Sequence, residues 1–178
     1  MLQKIIIINN PNEINIKRIK QLKAELLLRD FKQIKCKDEV TAKLRKNNIR
    51  FFVYNNAKLL VKYKTNLLYI SSYNRCSYKY LKLVNKKIFI LGGAHNAIEI
   101  NRKINQGCDA ILLSRVFETK EKKGFLDNNK FNYLANIYPV DFYALGGINQ
   151  NNIKKIKNST RSKGICVMSA YKDFQFKF

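Results

Sequence analysis

Eight short apolar runs, each trailed by a helical pattern or by enough chain to hold one, leave this sequence few ways to fold. The runs are KIIII at 4–8, ELLL at 25–28, IRFFVY at 49–54, NLLYI at 66–70, KIFIL at 87–91, AILL at 110–113, DFYAL at 141–145 and GICVM at 164–168. Between them apolar residues recur at helical spacing, as with Ile16, Ile19 and Leu22, Val40 and Leu44, or Ile98, Ile100 and Ile104. A shorter helix is expected around Leu59 and Leu60, another at 131–136, and one through Ile153 and Ile156. Runs with no polar alternation read as strands buried on both faces, and such strands belong to parallel sheets. Eight βα units in succession predict an α/β fold closed into a compact (β/α)8 TIM barrel, whose ligand groups lie in loops after the strand C-termini. At 178 residues the chain is shorter than the roughly 250 typical of such barrels, and a doubly wound open sheet is the alternative.

One domain spanning 1–178 is expected, because 46% apolar content suffices for a core and no low-complexity tract or linker divides the chain. The net charge of +23 attracts phosphates, nucleic acids or acidic membranes. Its 27 lysines and 8 arginines, however, run along the whole length, where a nucleic-acid binder gathers them into a patch or stripe. Tyr69, Tyr73, Tyr78 and Tyr80 beside Lys79 and Lys82 have the chemistry to stack bases, but their mixed spacing reads as packing. Nucleic acid is therefore not an expected partner. Cys36, Cys76, Cys108 and Cys166 form no Cys-x-x-Cys pair and have no His at ligand spacing, which argues for reduced thiols and a cytoplasmic location. The four isoleucines after Lys4 are too few for a signal peptide, and no run of about 18 apolar residues predicts a membrane span.

Two of only seven glycines stand together in YALGGINQNN, directly after the seventh predicted strand. Backbone without Cβ atoms can approach an anion closely, and the loops after strands seven and eight are the usual phosphate site of such barrels. The VMSAY segment after strand eight adds Ser169. A tight strand-to-helix turn would explain the glycine pair equally well.

The segments GGAHNAIEINRKINQGCDAILLSRVFETKEKKG (92–124), YALGGINQNNIKKI (143–156) and GICVMSA (164–170) resemble the thiamine phosphate synthase and TenI family, of which the chain looks like a divergent member. The resemblance implies a TIM barrel in thiamine biosynthesis, a transferase that joins hydroxymethylpyrimidine diphosphate to thiazole phosphate with release of pyrophosphate, using Mg2+. It implies phosphorylated thiazole and pyrimidine molecules as partners, no membrane, and room for a homodimer. By the same resemblance Gly146, Gly147, Met168 and Ser169 hold the thiazole phosphate, while Thr119 and Lys122 sit over the reacting centre, Lys122 as a point charge against pyrophosphate. Arg29 in LLLRDF and Asn55 in VYNN match the family's diphosphate-binding Arg and Asn.

Departures accompany these matches. Leu27 and Phe31 replace a Gln and a Lys beside the Arg, and Gly93 replaces a Ser. Asn56 and Asn74 fall where the family has two metal-binding aspartates; an amide oxygen can ligate Mg2+ but supplies no charge, so the cation would be held weakly. His95, the only histidine, occupies the Ser-x-His position of the family. A TenI-like thiazole tautomerase with His95 as proton shuttle, or a noncatalytic phosphate-ligand-binding barrel, is the alternative function.

Overall fold

The computed structural model describes residues 2–29, 37–119, 124–157 and 162–168. Strands and helices alternate: β1 (Gln3–Ile8), α1 (Ile16–Leu22), β2 (Glu25–Leu28), α2 (Lys37–Lys46), β3 (Phe51–Tyr54), α3 (Lys58–Lys62), β4 (Leu67–Ile70) and α4 (Tyr80–Val84). They continue as β5 (Phe89–Ala94), α5 (Ala97–Asn105), β6 (Ala110–Ser114), α6 (Asp127–Ile137), β7 (Asp141–Leu145), α7 (Ile153–Lys157) and β8 (Ser162–Val167). Every strand pairs in parallel with its neighbours in sequence, and β8 returns to β1 with Gln3 opposite Gly164 and Ile6 opposite Val167. That last pairing closes a (β/α)8 barrel and disposes of the open-sheet alternative.

The unbroken apolar runs follow from two cores that share the same strands. Successive strand side chains point to opposite faces. Ile5, Ile7, Leu27, Phe52, Leu91, Leu112 and Tyr143 fill the barrel interior. Ile6, Ile8, Leu26, Leu28, Val53 and Leu113 face outward, where Ile19, Leu44, Ile100, Phe131 and Ile156 from the helices cover them. Burial of each such side chain contributes roughly 1.5–3 kcal/mol relative to exposure.

Asparagines cap the starts of α1 and α5. Asn15 Oδ1 accepts from the Arg18 amide at 3.0 Å, and Asn96 Oδ1 accepts from the Glu99 amide at 3.0 Å. Glu99 in turn accepts from the His95 amide at 2.8 Å, which ties the end of β5 to the first turn of α5. On α5 the expected apolar face is only partly used: Ile100 is buried, whereas Ile98 is 72% exposed. Among the described residues no helix is long and apolar enough to cross a membrane.

Candidate functional site at the barrel mouth

A cavity of about 710 Å³ opens at the C-terminal ends of the strands. Arg29 comes to it from the end of β2, His95 from the end of β5, Thr119 from beyond β6, Gly146 and Gly147 from the end of β7, and Met168 from the end of β8. Six of the candidate site residues, drawn from five loops, thus meet in one place. Arg29 is half-buried, and its Nη1 lies 4.0 Å from the Met168 sulfur. Lys122 and Ser169 lie outside the described residues.

The glycine pair is dictated by its neighbours. Gly146 and Gly147 have φ of +100° and +65°, a region that side chains avoid. The loop after β6 passes so close that a Cβ on Gly147 would stand 2.3 Å from the Glu118 carbonyl oxygen, and one on Gly146 would stand 2.9 Å from Arg115 Cβ. Two backbone bonds fix that approach, from the Val116 amide to the Leu145 oxygen at 2.9 Å and from the Phe117 amide to the Gly146 oxygen at 3.0 Å. Turn geometry is therefore sufficient reason for both glycines. The amides of Gly147 and Ile148 donate to no acceptor among the described residues.

α7 starts only at Ile153, and Asn149 Oδ1 already accepts from the amides of Asn151 and Asn152, at 2.9 and 3.2 Å. Asn152 Oδ1 accepts from the Asn149 amide at 2.8 Å. Any anion-facing amides here belong to the turn itself.

His95 reaches the cavity from an exposed position, with Nδ1 3.0 Å from the Ser114 carbonyl oxygen and 3.1 Å from its hydroxyl. A carbonyl only accepts, so the contact favours a proton on Nδ1. Nε2 has no partner among the described residues. An imidazole anchored in this way can accept a proton at Nε2 from a bound molecule.

Asn55, Asn56 and Asn74 do not line the cavity. Asn55 is spent on structure: its Nδ2 donates to Ser71 Oγ at 2.9 Å and its Oδ1 accepts from the Ser71 amide at 2.8 Å. Asn56 Oδ1 accepts from the Lys58 amide at 3.0 Å, and Asn74 Oδ1 accepts from the Cys76 amide at 2.9 Å. Both supposed metal oxygens are thus engaged by backbone, and no cluster of three His, Cys, Asp or Glu groups suited to a metal exists among the described residues.

Several lining residues escaped the sequence reading: Tyr54, Tyr69, Ser71, Ser72, Arg115 and Glu118. The SSY tripeptide directly after β4 was a usable signal, since it sits where a barrel keeps its ligand groups. Cys166 lies on the cavity floor with a thiol that burial pushes well above its usual range, so it stays protonated.

The family model described as thiamine monophosphate synthase matches residues 13–171. This chain belongs to the thiamine monophosphate synthase family. A thiamine-phosphate synthase of Prochlorococcus marinus subsp. pastoris is 29% identical over 127 residues, covering 70% of this chain and 36% of that protein. The corresponding protein of another Prochlorococcus marinus strain is 37% identical over 68 residues, covering 37% of this chain and 19% of the relative. The chain therefore spans about a third or less of the length of these relatives. Among solved structures, a thiamine phosphate pyrophosphorylase from Pyrococcus furiosus superposes with a TM-score of 0.73 at 15% identity, over 95% of this chain and 86% of the other. Phosphoribosyl anthranilate isomerase from Thermotoga maritima gives 0.66 at 16% identity, over 98% and 91%. At such identities these two likenesses speak for the barrel alone.

Proposed function

We propose that this member of the thiamine monophosphate synthase family binds a phosphorylated thiazole and hydroxymethylpyrimidine diphosphate at the barrel mouth and condenses them to thiamine phosphate. The observation that carries this reading is the convergence of Arg29, His95, Thr119, Gly146, Gly147 and Met168 on one cavity. In the reaction the thiazole nitrogen supplies the electron pair of the new C–N bond as the CH2–O bond of the pyrimidine breaks, and pyrophosphate leaves with that bond's electrons. Arg29 meets the negative charge of the diphosphate, for which its planar guanidinium is suited. The Gly147 and Ile148 amides face the thiazole phosphate, and the family resemblance gives Ser169 a contact to the same group. Thr119 lines the cavity, and the family resemblance gives Lys122 the role of opposing the charge that grows on the leaving group.

Mg2+, which the family implies, finds no matching donor set in Asn56 and Asn74. Their oxygens are neutral, hydrogen-bonded to backbone amides and away from the cavity. A cytoplasmic location is part of the same proposal, supported by free thiols at Cys76, Cys108 and Cys166. So is a homodimer, supported by the solvent-facing Val61, Leu83 and Val84.

A second reading, thiazole tautomerase, is favoured by His95, whose Nδ1 is anchored on Ser114 and whose Nε2 remains open. One incubation separates the two. Purified protein is given both heterocyclic phosphates, with Mg2+ and with EDTA, and thiamine phosphate and thiazole tautomer are followed. Thiamine phosphate formed at a slow rate with weak metal dependence is the expected result, and brisk, EDTA-abolished synthesis would contradict the metal-site reading. Tautomer formed by wild type and lost in His95→Ala would move the assignment to the isomerase. Neither product and no ligand binding would leave both readings refuted.

A further inference from the structure

Gly92 and Gly93 follow one another at the end of β5 and face opposite ways. A Cβ on Gly92 would meet Cys108 Sγ at 2.6 Å, behind the strand. One on Gly93 would meet the Tyr69 hydroxyl at 2.4 Å, on the cavity side. Tyr69 is only 9% exposed, and its ring packs against Tyr54 with centroids 5.6 Å apart and planes inclined by 34°. Its hydroxyl lies on the cavity side and has no protein hydrogen-bond partner among the described residues. A hydroxyl that faces the cavity with no protein partner is open to a polar group of a bound ligand. Burial also raises the phenol's pKa, so the group is a neutral donor at every physiological pH.

Its surroundings say what the hydroxyl is suited to meet. Tyr54 and Tyr69 make an aromatic wall, and Arg29 is among the charges that act on Tyr69. Ser72, itself buried, places its backbone nitrogen 3.4 Å from the point a Gly93 Cβ would occupy. A planar ring carrying an acceptor nitrogen fits beside aromatic faces and neutral donors, with its anionic tail toward Arg29.

We propose that the Tyr69 hydroxyl recognises the pyrimidine ring of the diphosphate substrate, and that position 93 is glycine because this hydroxyl takes the space of its side chain. The inference rests on the proposed function and makes Tyr69 a specificity-determining residue of the same site. It is tested by calorimetric titration of hydroxymethylpyrimidine diphosphate and, separately, of pyrophosphate, which reports the anionic end alone. Tyr69→Phe keeps the ring and should weaken the pyrimidine ligand about tenfold while leaving pyrophosphate unchanged. Gly93→Ala, which forces the hydroxyl aside, should weaken the same ligand, yet add little further loss in the Tyr69→Phe background.

Equal pyrimidine affinity in wild type and Tyr69→Phe overturns this inference and leaves the function standing. Parallel loss of both ligands in Tyr69→Phe, or additive losses in the double variant, also overturns it, because the ring would then be acting through the fold. A wild-type protein that binds neither ligand refutes the functional reading and this inference with it.

Discussion

Lys103 is a fully buried lysine whose ammonium donates to two neutral oxygens, the Asn74 carbonyl at 3.0 Å and Gln106 Oε1 at 2.8 Å. Burial lowers its pKa from 10.5 to about 8. The unfolded chain therefore keeps this proton up to 10.5 while the folded one releases it from about 8, so across that window the unfolded state binds more protons and stability rises with pH. The neighbouring Cys108 thiol, raised to about 12 by burial, contributes the opposite slope, and a comparison of variants that both retain it largely removes that contribution. Urea denaturation at a series of pH values should find wild type gaining on Lys103→Met as pH climbs from about 8 toward 10.5; a difference constant with pH would contradict the assignment. The sequence could not announce this residue. Helical spacing put Ile98 on the buried face of α5, but a lysine holds a core place there because its end finds acceptors in Asn74 of the β4–α4 loop and in Gln106 at the end of α5. Asn55, which the family resemblance pairs with the diphosphate, joins the ends of β3 and β4 through Ser71, a bond that no sequence pattern announces.

At the level of elements, the strands announced themselves because both their faces are buried. β2 and β7 match the apolar runs residue for residue, and β5 runs on to Ala94 because Gly92 and Gly93 still pair with Ile111 and Leu112 of β6. The five-residue α4 carries no clear apolar stripe, as Leu83 and Val84 face solvent. Entry into β6 is fastened by Asp109, whose Oδ2 accepts from the Ile90 amide at 2.7 Å and pairs with Lys82 at 2.6 Å. Asp109→Ala leaves the Ile90 amide without its acceptor and should cost about 1–3 kcal/mol in chemical denaturation. Asp109→Asn should recover most of that loss, since an amide oxygen can still accept the same N–H. Full destabilisation by Asn would show that the charge, rather than the acceptor, holds the junction.

Over the whole molecule, a charge of +23 makes association with polyanions an expected background at low salt. Tyr69 and Tyr78 lie in the core, while Tyr73 and Tyr80 are exposed, so the four do not form one stacking surface. Gel shift with duplex DNA should show at most diffuse binding that disappears by about 0.15 M salt; retention of one defined complex at that ionic strength would overturn the small-molecule assignment of partners. The closed ring of strands has one more implication. Because it separates an inner core from an outer one, adjacent strand positions answer to different masters. Randomising codons 92 and 93 together should yield two unlinked phenotypes: insoluble protein traced to the first, altered ligand choice traced to the second. Natural drift can then retune what the mouth accepts while the scaffold beneath it stays still.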